Sequence, residues 1–150
     1  MKVFQGIEEF EGAVGTHLGT SDWFDVTQEM IDAFAEGTHD HQWIHVDPQR
    51  AKDGPFGTTI AHGYLTLSLV SAMFAQVYRI EGLKLGINYG SNKVRFPAVV
   101  PVDSRVRGHI DLLSVTTIPM GRQVVTKVTV ELDGSDKPAC VAEIVSVLVP

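Results

Sequence analysis

The sequence predicts an α+β domain in which an antiparallel β-sheet wraps around one central apolar helix. Three observations carry that expectation. The stretch from about His62 to Arg79 is apolar almost all round, which suits a helix inside a core rather than on a surface. Four segments rich in β-branched residues follow it: LKLGINYGSNKVRF, SRVRGHIDLLSVTTI, RQVVTKVTVEL and ACVAEIVSVLV. Their separators, PAVVPVD, PMG and DGSDKP, are turn chemistry, so successive strands are expected to pair as an antiparallel meander.

The elements follow in order. Phe4, Ile7, Phe10 and Val14 are spaced for a short amphipathic helix. SDWFDV reads as a short strand. Thr27 is a good N-cap for a helix that carries Met30, Ile31, Phe34 and Ala35 at helical spacing, and Gly37 is its expected stop. Asp47 and Pro48 repeat the start signal, a cap followed by proline at the first helical position. The Gly/Pro-rich stretch that follows is irregular until the central helix begins near His62. With no internal repeat, low-complexity segment or linker, residues 1–150 read as a single domain. A sheet curled around one helix leaves open edges and apolar surface, which dimerisation would cover.

Bulk properties narrow the function classes. A chain of 150 residues, 44% hydrophobic and 20% charged, builds an ordinary globular core. A net charge of -6 argues against nucleic acid or an anionic membrane as the main partner. The single cysteine, Cys140, has no partner for an internal disulfide and lies in an apolar run, which fits a small buried hydrophobe in a reducing compartment. The N-terminus shows no basic region leading into an apolar one. The longest apolar stretch, YLTLSLVSAMFAQVY, is short for a membrane span. A cytoplasmic protein without membrane insertion is expected.

The chemistry concentrates in THDHQWIHVDP, residues 38–48. On composition alone it suits a metal site, an acid–base pair or a polar loop. A metal needs three or four converging ligands. His39, Asp40, His41 and His45 are the candidates, but no second cluster of cysteines or carboxylates joins them, and adjacent loop residues tend to point apart. No metal is therefore expected, and His39 and His41 are expected in solvent. Asp40 and His45 would stand up to roughly 17 Å apart in an extended chain, so only a compact turn brings them to one reactive centre. Each can act as general acid or base, and together they can hold a water. Trp43 and Ile44 are expected to take Asp40 partly out of water. Gly63, at the start of the central helix, offers a backbone N–H and the positive end of the helix dipole to an oxygen gaining charge. The set suits proton transfer next to a thioester carbonyl.

The stretch HDHQWIHVDPQRAKDGPFGTTIAHGYLTLSL resembles the hydratase motif of the MaoC-like dehydratases, the (R)-specific enoyl-CoA hydratase group of the hot-dog fold. Asp40, His45, Asp47 and the His62-Gly63 pair stand where that motif has them. NKVRFPAVVPVDSRVR matches the family's later strand pair. The resemblance covers about residues 20–150 and is closest to the single-hot-dog 3-hydroxyacyl-thioester dehydratases. It implies reversible syn addition of water to a trans-2-enoyl thioester, giving an (R)-3-hydroxyacyl thioester: a hydro-lyase with no metal and no redox cofactor. It implies that Asp40 and His45 bind and activate the water and deliver a proton to the α carbon. The Gly63 N–H would then hold the thioester oxygen, and Ser71, placed by its spacing from Gly63, would orient Asp40 or His45. Gln42-Trp43 replaces the family's Asn-Pro, so the loop is built differently here. Gln42, Trp43, His62 and Arg95 are candidate substrate contacts. Arg95 would reach coenzyme A phosphates unless it and Lys93 form a solvated strand face. The implied partners are an acyl thioester of coenzyme A or acyl carrier protein and a second copy of the chain. Two other functions compete. A hot-dog acyl-CoA thioesterase would need a carboxylate on the central helix, and residues 64–79 contain none. A non-catalytic acyl-thioester-binding module would not need both Asp40 and His45.

Overall fold

The computed structural model describes residues 1–150, which form eight strands and six helices. The N-terminal part comprises β1 (Lys2–Phe4), α1 (Ile7–Glu11), β2 (His17–Thr20), β3 (Phe24–Val26) and α2 (Gln28–Thr38). Four further helices follow: α3 (Trp43–Val46), α4 (Pro48–Lys52), α5 (Gly63–Ser68) and α6 (Val70–Val77). Strands β4 (Tyr78–Ile80), β5 (Leu85–Arg95), β6 (Ser104–Ile118), β7 (Gly121–Leu132) and β8 (Cys140–Val149) complete the chain.

The caps work as their residue types dictate. The Thr27 hydroxyl accepts from the Met30 N–H at 3.2 Å, and Asp47 accepts from the Arg50 N–H at 3.0 Å ahead of Pro48. Gly37 does not stop α2. The helix runs on to Thr38, and His39 makes the reversal in the left-handed conformation, with φ 61°. That conformation is tolerable for a histidine although glycine would adopt it more readily. Strands β1 and β2 carry no sequence signal of their own. β1 forms a parallel ribbon with β4, and β2 and β3 are short pieces held along β6.

The main sheet is antiparallel, in the order β2-β6-β7-β8-β5, with β3 also on β6. The expected meander holds for β6, β7 and β8. β5 departs from it by pairing with β8 at the far edge rather than with β6. The link 96–103 is therefore a crossover and not a turn. Eight residues reach roughly 26 Å, enough to pass three strand spacings of about 4.8 Å each. On the way Val100 is buried, its carbonyl accepts from the Ala61 N–H at 2.8 Å, and Pro101 bridges to Ile60.

Helices α5 and α6 form one rod, joined through Leu69 in the right-handed helical region. Leu65, Thr66, Val70, Met73 and Val77 face the sheet and are buried. They meet alternate residues of the strands, among them Val106, Ile110, Val128 and Ala142. The approach is closest at Gly108, where an added Cβ would lie 2.7 Å from the Met73 sulfur. The expectation that this helix is enclosed on all sides is corrected. The sheet covers one face, while Tyr64 is 72% exposed and Ser71, Ala72 and Ala75 are open. One sheet of a single chain contacts only one side of a helix. The outer apolar residues instead border a hollow of about 470 Å³ shared with β5. Cys140 is a free, buried thiol, pushed up to about 11 by burial.

Candidate active site

The reversal at His39 turns the chain sharply after α2 and sets Asp40 in a short connection to α3. The Asp40 carboxylate accepts from the Gln42 N–H at 3.3 Å, and Gln42 sits at the N-cap of α3. This four-residue helix, unforeseen in the sequence, turns His45 inward, where it is buried. The facing segment is 59–62. The Ile60 N–H donates to the Ile44 carbonyl at 3.0 Å, and His45 Nδ1 donates to the Ile60 carbonyl at 2.6 Å. A carbonyl only accepts, so Nδ1 carries the proton and Nε2 keeps a lone pair. From below, the Gln28 amide donates to the His45 carbonyl at 2.7 Å, while its oxygen accepts from the buried Thr59 hydroxyl.

His62 completes the cluster. Its Nε2–H donates to the Asp40 carbonyl at 3.0 Å, and its ring stacks on His45 with centroids 3.8 Å apart and planes 24° apart. Its Nδ1 is buried without a hydrogen-bond partner. A carboxylate oxygen of Asp40 and one nitrogen of each histidine lie within 4.8 Å of one another. Such a triad invites a metal reading, but the stack opposes it. An ion bonded at about 2.0–2.1 Å should lie in the plane of each ring, and two nearly parallel planes at this separation meet much farther out.

Burial is the main force on His45 and lowers its pKa. The bond to Ile60 works against that, His62 adds to it, and Asp40 opposes it. The free nitrogen of His45 is therefore a base at neutral pH. His45 and Gly63 line one cavity of about 240 Å³ together with Thr66, Phe96, Val99 and Ala139. The Phe96 ring lies against Gly63, where an added Cβ would be 3.3 Å from it.

The remaining expected residues fall elsewhere. Asp40 is exposed, so Trp43 and Ile44 do not desolvate it. Trp43 packs against Gly54 and under Arg50, whose guanidinium lies 4.4 Å from the ring. Gln42 is exposed. Arg95 is exposed on β5, with its guanidinium on the Val94 carbonyl. Ser71 lines the outer hollow rather than the His45 cavity and makes no hydrogen bond to Asp40 or His45. Eight residues of helix carry it about 12 Å from Gly63. The helix hydroxyl in the cavity belongs to Thr66, one turn after Gly63. Sequence reasoning missed Thr66, Gln28, Thr59 and Phe96. Only the one-turn spacing of Thr66 from Gly63 was a usable signal.

The family model of the MaoC like domain matches residues 9–134. The chain belongs to the MaoC-like family. Over 144 residues this MaoC-like chain is 54% identical to 3-hydroxyacyl-thioester dehydratase Z of Mycobacterium tuberculosis, covering 95% of each chain. It is 46% identical over 139 residues to nodulation protein N of Rhizobium leguminosarum bv. viciae, covering 90% of this chain and 86% of that one. Among solved structures, the (R)-hydratase from A. caviae involved in PHA biosynthesis matches with a TM-score of 0.75. The match is at 23% identity and covers 91% of this chain and 96% of that one. The MaoC-like chain has the hot-dog fold that the sequence predicts.

Proposed function

We propose that this chain is a hydro-lyase, an (R)-specific enoyl-thioester hydratase and 3-hydroxyacyl-thioester dehydratase. The observation that carries the reading is that His45 stands near Asp40 and shares a cavity with Gly63. An Asp40 carboxylate oxygen lies within 4.8 Å of a His45 nitrogen, His45 Nε2 is unprotonated, and Gly63 shares its cavity. In hydration, Asp40 and His45 hold one water. One of its protons passes to this pair as its oxygen bonds to the β carbon. The pair returns a proton to the α carbon on the same face of the double bond, which makes the addition syn. The Gly63 N–H holds the thioester oxygen while negative charge builds there. Dehydration is the reverse. The 54% identity to 3-hydroxyacyl-thioester dehydratase Z supports the substrate class.

The substrate is a thioester of coenzyme A or acyl carrier protein, and no metal or redox cofactor takes part. Arg95, the chain neighbour of the cavity residue Phe96, is the cation offered to a phosphate of the carrier. The active form is a homodimer. The edge strand β5 supports this, exposing Leu85, Ile87 and Tyr89 at 47%, 40% and 70%. A cytoplasmic setting accords with the free Cys140, and no helix is long and apolar enough to cross a membrane.

Crotonyl-CoA tests the reaction. Loss of the enoyl-thioester absorbance without thiol release is expected, and Asp40→Asn and His45→Gln should each lose about 10²-fold or more. Thiol release without hydration would show a thioesterase instead. Full activity in both variants would overturn the mechanism.

A further inference from the structure

His62 touches both members of the acid–base pair, each in a different way. Toward Asp40 it acts on the backbone: Nε2–H donates to the Asp40 carbonyl at 3.0 Å, and no other group donates there. Toward His45 it acts through the ring face, at 3.8 Å. The bond from His45 Nδ1 to Ile60 fixes one edge of that imidazole and leaves its tilt free. The stack on His62 sets the tilt. His62 itself has nowhere to move, being 2% exposed and packed against Phe34 at 4.9 Å. It does not line the cavity that His45 and Gly63 share.

We propose that His62 is the positioning residue that sets Asp40 and His45 against each other, with its N–H and its ring as two separable devices. The inference rests on Asp40 and His45 being the acid–base pair. A reacting group displaced by about 1 Å can cost roughly 10²-fold in rate, so a residue that touches no substrate can still govern turnover. The titratable groups facing His45 are Asp40 and His62. Helix α2 presents Gln28, which also holds the Asp32 carboxylate at 2.8 Å, and the crossover residues 96–100 carry no charge.

Two substitutions separate the devices. His62→Phe keeps an aromatic face and loses the N–H. His62→Gln keeps an N–H of similar reach and loses the ring. Each should lower kcat about 10- to 100-fold with KM within about twofold, because the substrate cavity is intact. His62 also helps to depress His45, so both variants should move the acid limb of the kcat profile to higher pH. A purely structural role would reduce the active fraction and leave the limb in place. That result, or wild-type kcat in both, would overturn the proposal. Should either variant fail to fold by circular dichroism, Phe34→Leu replaces it, since it removes only the ring behind His62. A kcat reduced at least threefold with unchanged KM is expected there, and an unchanged kcat would overturn the proposal. Asp40→Asn and His45→Gln are assayed alongside. If they remain fully active, the acid–base reading itself has failed. If they are inactive while the His62 variants behave as wild type, only the positioning role has failed.

Discussion

His45 shows how much one carbonyl can decide. Because Ile60 accepts from Nδ1, the nitrogen left for chemistry is Nε2, and burial holds the ring neutral below the ordinary histidine value of 6.5. The unfolded chain keeps that ordinary value. Between 6.5 and the lowered native value the unfolded state binds a proton that the native state refuses, so stability rises with pH across that window. Urea midpoints should therefore fall as pH drops from about 7.5 to about 5, and His45→Gln should remove part of that slope. Gly63→Ala tests the other wall of the cavity. The new methyl meets the Phe96 ring beside the N–H proposed to hold the thioester oxygen, so kcat for crotonyl-CoA hydration should fall about 10²-fold while the fold persists. At this scale the placing of His45 near Asp40 and beside Gly63 was legible through the resemblance of the surrounding motif, since residue type and spacing alone left a metal site and a polar loop open. Thr66, Gln28 and Phe96 were not. A neutral polar or aromatic residue on a core-facing element has the same signature whether it packs or serves a site.

Elements were read best where the signal is local. Thr27 and Asp47 cap their helices with the bonds their side chains favour, and alternation located β6, β7 and β8 closely. The place of β5 was hidden because its partner is decided by a crossover, and alternation along a strand does not encode which strand lies beside it. Helix α3 was hidden because four residues carry too little periodicity to register. The packing of the α5–α6 rod on the sheet gives a test. Gly108 admits Met73 where any side chain would collide, so Gly108→Ala should destabilise by about 1–3 kcal/mol, read as a lower urea midpoint with an unchanged slope. A loss near zero would mean that the methionine swings aside without cost.

The whole molecule has an apolar helix covered on one side and a long edge strand beside it. Strand β5 has 11 residues, nearly all exposed, and with the outer face of α5–α6 it borders a hollow of about 470 Å³. The proposed homodimer would cover both features if the second copy paired the free edge and filled the hollow. In a two-fold contact each surface residue counts twice, so a single charge there is amplified. Ile87 sits in the hollow wall and on the edge strand together. Ile87→Lys puts an ammonium group on the proposed contact face of each copy and strips apolar area from both. It should weaken self-association by at least about 100-fold and yield monomers at micromolar concentration in analytical ultracentrifugation, with the single-chain fold retained by circular dichroism. Lys93 lies further along β5 and outside the hollow, so Lys93→Ala should leave the assembly unchanged. A dimer that survives Ile87→Lys would place the contact on another face, and the exposed edge of β5 would then need a different partner.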